Sequence, residues 1–310
     1  MGDRPGTQQW WRAHRRIVTS QDGEDGVLEH VFERIPDVGR WCVDVGASDG
    51  QFLSNTWNLI QNHGWSAVLI EKEKRPFADL LALYSSNPRV TPLQRAAWIE
   101  GPDALSALLD RASVPPDFDL LSIDVDGNDY HLWERLDGYE PKVVVVEYNP
   151  MIPTDVRFVQ PAARRLFQGS SLLSICDLGT SKGYELIAAT VCNAIFVRRE
   201  YFELFPVGDN APAAMRDNSR YETRIFQLYD GTLKVHGYDR LFWSGLPIDE
   251  RRLQVVPRPF RRYGGSGRSL AGFVARRYQA WRTRGVEVPA QRSLAAHGHP
   301  TGPRGDGGPR

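Results

Sequence analysis

Short apolar runs that end on an acid recur along the first half of this chain. They are Trp41-Cys42-Val43-Asp44-Val45, Ser66-Ala67-Val68-Leu69-Ile70-Glu71, Phe118-Asp119-Leu120-Leu121-Ser122-Ile123-Asp124 and Val143-Val144-Val145-Val146-Glu147, with a shorter run over 90–93. Runs this short and this continuously apolar predict strands buried on both faces, as in a parallel sheet. Between them the apolar positions change to helical spacing. Val27, Leu28, Val31, Phe32 and Ile35 form one stripe, opened by Ser20 or Asp22 as a cap; 52–62, ending near Gly64, and 77–84 predict two more helices. Strand and helix in alternation predict an α/β fold. Farther on, 184–187 and 194–197 read as an antiparallel hairpin that closes the sheet, 171–178 as a strand or a helix end, and 151–168 as a lid and helix broken by Pro150 and Pro153.

The remaining segments set the domain plan. Residues 1–19 place Trp10, Trp11 and Ile17 among arginines, an amphipathic lead-in; 20–200 hold the predicted sheet. The stretch 201–262 carries Tyr201, Phe202, Phe205, Phe226, Tyr229, Leu241, Phe242 and Trp243, too aromatic for a linker, and reads as a C-terminal cap that shapes a pocket. Residues 263–310 are Gly, Pro, Ala and Arg, the composition of a largely disordered basic tail.

Charge follows the same division. The whole chain of 310 residues is neutral, yet 251–310 hold thirteen arginines and no lysine against Glu287 and Asp306, so a balance of +11 there is offset by −11 over the first 250 residues. A solvated tail is favoured over a nucleic-acid contact. No apolar run approaches the roughly 20 residues that span a bilayer. The arginines near the amino terminus, without an apolar stretch, do not make a secretory signal. Cys42, Cys176 and Cys192 are few, distant and odd in number, which fits free thiols in a reducing cytoplasm.

The acids at the strand ends carry the candidate chemistry. Unpaired carboxylates at the ends of buried strands are costly to desolvate, so four of them favour a shared polar cleft. Gly46, Ala47 and Gly50 let backbone approach a ligand closely, and Asp44 and Asp49 would stand at the rim of the crevice. Glu71 follows about twenty-five residues later, near the spacing at which an acid meets ribose hydroxyls. Ser54, Asn55 and Thr56 follow the loop, suited to hold a carboxylate. Asp124, Asp126, Asp129 and Asn128 crowd at one strand end, with Glu147 and Asn149 from the next, and repel unless protons or a cation intervene.

Asp44-Val45-Gly46-Ala47-Ser48-Asp49-Gly50 with Glu71, Ser20-Gln21-Asp22-Gly23-Glu24-Asp25 upstream and Ile123-Asp124-Val125-Asp126-Gly127-Asn128-Asp129-Tyr130 downstream resemble the FkbM-type family of S-adenosylmethionine-dependent methyltransferases. Ser54-Asn55-Thr56, Gly64-Trp65, Glu147-Tyr148-Asn149-Pro150 and Tyr229-Asp230-Gly231-Thr232-Leu233 extend the resemblance from about Ser20 to about Pro257. Ala47 and Ser48 depart from the Gly-x-Gly pair that many methyltransferases carry.

The resemblance implies a class I, Rossmann-like, seven-stranded sheet with helices on both faces. It also implies S-adenosylmethionine as cofactor and a hydroxyl acceptor on a sugar or secondary metabolite. Gln21 would lie over the cofactor cleft, Asp44, Gly46, Ala47, Asp49, Asn55 and Glu71 around it, Ala96 at the adenine edge and Asp124 on the ammonium group. Asp126, Asp129 or His131 would position or deprotonate the acceptor. A second arrangement stands beside it: Asp124, Glu147 and Asn149 as an oxygen site for Mg²⁺. Two other readings compete, an NAD-dependent oxidoreductase, whose full Gly-x-Gly-x-x-Gly loop is missing here, and a non-catalytic module for a nucleoside or acidic partner. Membrane partners are not expected, and oligomeric state stays open.

Overall fold

A computed structural model describes residues 9–216, 221–242, 244–258, 261, 273–274, 277–278 and 280–281. The chain divides into two compact units, 1–223 and 224–310.

The first unit is built on seven strands: β1 (Trp41–Val45), β2 (Ser66–Glu71), β3 (Val90–Gln94), β4 (Leu120–Ile123), β5 (Val143–Glu147), β6 (Tyr184–Ala189) and β7 (Asn193–Arg198). Their order in the sheet is β3-β2-β1-β4-β5-β7-β6. β1 to β5 run parallel, and β7 lies antiparallel between β5 and β6. That order and the inverted seventh strand are the class I methyltransferase Rossmann-like topology. Strand order reverses between β1 and β4, so right-handed crossovers put the earlier and later helices on opposite faces, and the crevice opens where the direction changes. The helices are α1 (Glu24–Phe32), α2 (Trp57–His63), α3 (Lys74–Tyr84), α4 (Leu105–Arg111), α5 (Asp129–Glu134), α6 (Leu172–Ser181) and α7 (Pro212–Met215).

Burial explains why the strand pattern was legible. Val143, Val144, Val145 and Val146 of β5 are fully buried, as are Val68, Leu120, Leu121 and Ile195 on neighbouring strands, which is what a sheet covered on both faces demands. The α1 stripe enters the same core through Val27, Leu28 and Val31. The lead-in packs here too: Trp11 is fully buried and the Trp10 Nε1–H donates to Ile187 O at 2.9 Å.

Three local expectations change. The 52–62 helix begins only at Trp57, because Ser54 Oγ accepts from the Thr56 and Trp57 N–H groups and starts α2 there. Phe52 and Leu53, left outside it, are exposed. At the start of α1 the N-cap position is Gly23 in the left-handed region, while Ser20 Oγ accepts from the Asp25 N–H of the first turn at 3.1 Å, as a capping side chain does. Asp25 in turn accepts from the Val18, Thr19 and Ser20 N–H groups. No helix forms over 151–168; this stretch is an irregular connection between β5 and α6, whose start is capped by Ser171.

The second unit holds a hairpin, β8 (Thr223–Gln227) with β9 (Leu233–Gly237), and the short α8 (Glu250–Leu253). The Gln254 side chain bonds both the N–H and the C=O of Leu233 and ties α8 to the hairpin. Ile225, Phe226 and Tyr229 are exposed. The aromatic stretch expected as one cap over 201–262 therefore spans both units. Trp243 and most of the basic stretch 263–310 lie outside the described residues. No helix among the described residues is long and apolar enough to cross a membrane, and the three cysteines are free.

Candidate functional site

The β1 loop runs beneath the end of β4. The Gly46 and Ala47 N–H groups both donate to Ile70 O, at 2.9 and 3.1 Å. Gly46 has φ +93°, and a Cβ there would lie 1.7 Å from Asp124 O, so only glycine fits. Ser48 also takes the left-handed conformation, φ +49°, which glycine adopts freely and serine does not. Its N–H donates to Glu71 Oε2 at 2.9 Å, while Glu71 Oε1 accepts from the Glu73 N–H at 2.6 Å. One buried carboxylate thus fixes two loops side by side.

Asp44 is buried beside this loop. Thr56 Oγ1 donates to Asp44 Oδ2 at 2.7 Å and Ser54 Oγ at 3.5 Å. Burial pushes the Asp44 pKa up to about 7, the Thr56 hydrogen bond opposes the shift, and Asp124 adds to it. Asn55 is buried as well; its Nδ2 donates to Ser122 Oγ at 3.3 Å, and its Oδ1 has no partner among the described residues.

At the ends of β4 and β5 the acids meet. Ligand oxygens of Asp124, Asp129 and Glu147 lie within 4.8 Å of one another. Burial, with Asp126 next in weight, raises Asp124 to about 6; burial and then Asp124 raise Asp129 to about 7. Glu147 is pushed well above the carboxylate range by burial and by Asp124, and it hydrogen-bonds Asp124. The consistent reading is a protonated Glu147 donating to an ionised Asp124 near neutral pH. Three crowded acids, Asp129 buried and Asp124 and Glu147 half-buried, coexist because they share protons.

The other candidates in this region are committed elsewhere. Asp129 accepts from the Val125 and Gly127 N–H groups, each at 2.8 Å, and shapes the loop between β4 and α5. Asn149 Nδ2 donates to Gln168 O at 2.6 Å and its Oδ1 accepts from the Met151 N–H at 2.8 Å. The oxygen group is therefore Asp124, Asp129 and Glu147, without Asn149. His131 Nε2 meets Gln160 O at 2.8 Å, and its Nδ1 lies 3.7 Å from a Glu134 carboxylate oxygen.

These elements enclose a cavity of about 460 Å³, within the range of small-molecule sites. Asp44, Gly46, Ala47, Asn55, Glu71, Ala96, Asp124 and Asp126 all line it. Asp126, exposed and at φ +62°, stands on its rim. Gln21, Asp49, Asp129, His131, Glu147 and Asn149 are not in the lining. Gln21 is exposed on the turn before α1. Asp49 accepts from the Gln51 and Phe52 N–H groups and makes the turn after the β1 loop, its side chain spent on backbone.

The lining also includes Lys72, Trp98, Ser122, Arg164 and Phe167, which sequence reasoning missed. Lys72 follows the acid of β2 and was one step from legible. Arg164 and Phe167 belong to 151–168, where a lid was expected but no residue was singled out.

No known family profile matches this chain, and no curated protein does. Solved structures similar to it include the N-terminal domain of EvdMO1 with SAH bound, at 15% identity over 58% of this chain and 82% of that one, TM-score 0.39. A putative methyltransferase, yhhF from Escherichia coli, matches at 13% identity over 59% and 89%, TM-score 0.36. Magnesium protoporphyrin IX methyltransferase (ChlM) from Synechocystis PCC 6803, with bound SAM, matches at 11% identity over 56% and 77%, TM-score 0.35. The fold assignment rests on the strand order itself.

Proposed function

We propose that the cavity takes S-adenosylmethionine and that the chain is a methyltransferase of the FkbM type, acting on a hydroxyl of a sugar or secondary metabolite in the cytoplasm. One observation carries this reading: the acid ends of three adjacent strands, Asp44, Glu71 and Asp124, converge with Asn55 and Ala96 on one cavity large enough for a nucleoside joined to an amino acid.

When bound, the cofactor supplies an electrophilic methyl group. The residues of this chain hold and orient it. Glu71, already fixed by two backbone N–H groups, presents its remaining lone pairs to ribose hydroxyls. Asp124, ionised while Glu147 holds a proton, takes the ammonium group. The unpartnered Asn55 Oδ1 accepts a hydrogen bond at the amino-acid end, and Ala96 leaves room at the adenine edge. Asp126, exposed on the rim, receives the acceptor's proton. Catalysis then rests on positioning and one proton transfer.

Asp124 and Glu147 also have the donor chemistry for Mg²⁺, which keeps most of its waters and needs one or two carboxylates. A cation there would lower the pKa of an acceptor hydroxyl. Isothermal titration with S-adenosylmethionine and S-adenosylhomocysteine, repeated on Asp44→Ala and Glu71→Ala and with or without Mg²⁺, tests the proposal. Binding by the wild type that is lost in both variants supports it and opens an acceptor screen. No heat and no thermal shift from either ligand in the wild type would overturn it.

A further inference from the structure

The connection from β5 to α6 is long for an irregular segment, yet it is built around buried polar anchors. Gln160 is 1% exposed. Its Oε1 accepts from the Gln168 and Gly169 N–H groups at 3.0 and 2.9 Å, and its Nε2 donates to Leu166 O at 3.2 Å. Asn128, also buried, donates from Nδ2 to Ala163 O at 3.0 Å and accepts from the Ala163 N–H at 3.2 Å. Residues 160–169 are therefore folded about one glutamine and fastened to the loop that carries Asp124 and Asp126. The contact is close: a Cβ on Gly127 would lie 2.7 Å from Leu166 O.

From those anchors the segment reaches across the cavity. The Arg164 guanidinium lies over the Trp98 ring, 4.4 Å from its centroid, and Lys72 Nζ stands 5.3 Å from the centroid of the Phe167 ring. Trp98 follows β3 and Lys72 follows β2, the side of the cavity that holds Glu71 and Ala96. The segment thus spans the crevice from the β4 side to the β2 and β3 side. Arg164 and Phe167 line the cavity while being largely exposed on their outer side. Side chains held only by cation–π contacts at an exposed edge are weakly fixed, whereas the anchors beneath them are buried. Such a segment is firm at its base and loose at its tip, the construction of a lid.

We infer that 160–169 is a strap over the nucleoside half of the cofactor, with Arg164 and Phe167 as cofactor-binding residues whose release gates cofactor exchange. This rests on the reading of the cavity as an S-adenosylmethionine site. The planar faces of Phe167 and of the Arg164–Trp98 pair suit an adenine ring. Asp126, exposed on the rim, remains free for the acceptor.

Binding and release of S-adenosylhomocysteine and of 5′-methylthioadenosine, which lacks the amino-acid half, are measured on the full chain and on the Arg164→Ala/Phe167→Ala double variant. The strap predicts that the double variant releases both ligands at least about tenfold faster and weakens both by a similar factor. In the wild type, S-adenosylhomocysteine should slow trypsin cleavage after Arg164 and Arg165, a readout that needs no variant. Release rates that agree within about twofold, a loss confined to S-adenosylhomocysteine, or absence of trypsin protection would overturn the strap while leaving the cofactor site standing. A wild type that binds neither ligand would remove both readings together.

Discussion

The two ends of the cavity are built from different materials. At the β1–β2 end the surfaces are backbone: Gly46, Ala47 and Ser48 commit their N–H groups to Ile70 and Glu71, and the close approach of Gly46 to Asp124 O fixes the spacing. At the β4–β5 end the surfaces are carboxyl groups whose charge depends on one another. The first end is set chiefly by backbone geometry, with the buried Asp44 beside it, raised to about 7, as its titrating group. The second is set by protonation and should titrate.

The largest effect follows from the geometric end. Gly46→Val places a branched side chain where even one Cβ falls 1.7 Å from a carbonyl oxygen, at a φ of +93° that valine resists. A steric clash with backbone combined with a strained φ costs more than about 4 kcal/mol, and thermal unfolding should show a drop of roughly 10 °C or more. A melting temperature unchanged by this substitution would mean that the loop can move away from β4, against a shared rigid floor.

Glu71→Gln comes next. It keeps the shape and removes the charge that two backbone N–H groups address, while turning one amide N–H₂ toward a donor. Leaving such groups mismatched costs about 1–3 kcal/mol, or roughly 10- to 100-fold in the affinity for S-adenosylhomocysteine. The loss is one of hydrogen-bond matching at a fixed loop. Asp124→Asn should behave otherwise: wild-type Asp124, raised to about 6, is ionised at pH 8 and largely protonated at pH 5, so the penalty of the substitution for the ammonium-bearing ligand should be marked at pH 8 and shrink as pH falls. A penalty independent of pH would detach Asp124 from the ammonium group.

The same asymmetry governs what the sequence revealed. Buried strands announced themselves because a sheet covered on both faces requires continuous apolar runs, and their acid ends pointed to the crevice. Asp44, Glu71, Asp124 and Asp126 accordingly line the cavity. Several candidates outside its lining share a cause: side chains that satisfy backbone. Asp49, Asp129 and Asn149 have the right chemistry and the right neighbourhood, but their oxygens and nitrogens close turns and loops. Residue type cannot separate an acid that builds a loop from one that faces the cavity, since both follow a strand. Arg164 and Phe167 were illegible for the opposite reason. Their position depends on Gln160 and Asn128 meeting across 32 residues of chain, and no periodicity carries that information.

Apo stability should show the raised acids of both ends directly. Asp44 and Asp129 near 7 and Asp124 near 6 all have native pKa values above the 3.8 that they have without the fold. Between pH 4 and 7 the native state holds more protons at these sites than the unfolded chain does, so stability falls as pH rises through that window. Glu29 works the other way. Burial alone would raise it, but hydrogen bonds from Arg16, Asn58 and His63 outweigh burial and hold it at about 2, and its contribution is lost only as pH falls below about 4.5. From pH 5 to 8 the apo melting temperature should therefore decline through the raised acids, and Asp44→Asn should flatten the decline. A rise over that interval would mean that these acids are ionised at low pH in the folded chain.

The smallest effect is expected at His131, whose residue type made it a candidate base. Its Nε2 donates to Gln160 O at 2.8 Å, and its Nδ1 lies 3.7 Å from a Glu134 carboxylate oxygen. The ring is thus tied to the segment at Gln160, and His131 is outside the cavity lining. His131→Gln retains an N–H donor of similar reach and should keep the segment at 160 in place. Once an acceptor is found, methyl transfer by this variant should fall by less than about threefold, whereas removal of a true general base costs on the order of 10²- to 10⁴-fold. Asp126→Asn, on the rim, should show the larger loss in kcat, with cofactor affinity little changed. If the ranking is reversed, with His131→Gln losing more than about a hundredfold and Asp126→Asn active, then the proton leaves by the α5 face and the acceptor does not enter beside Asp126.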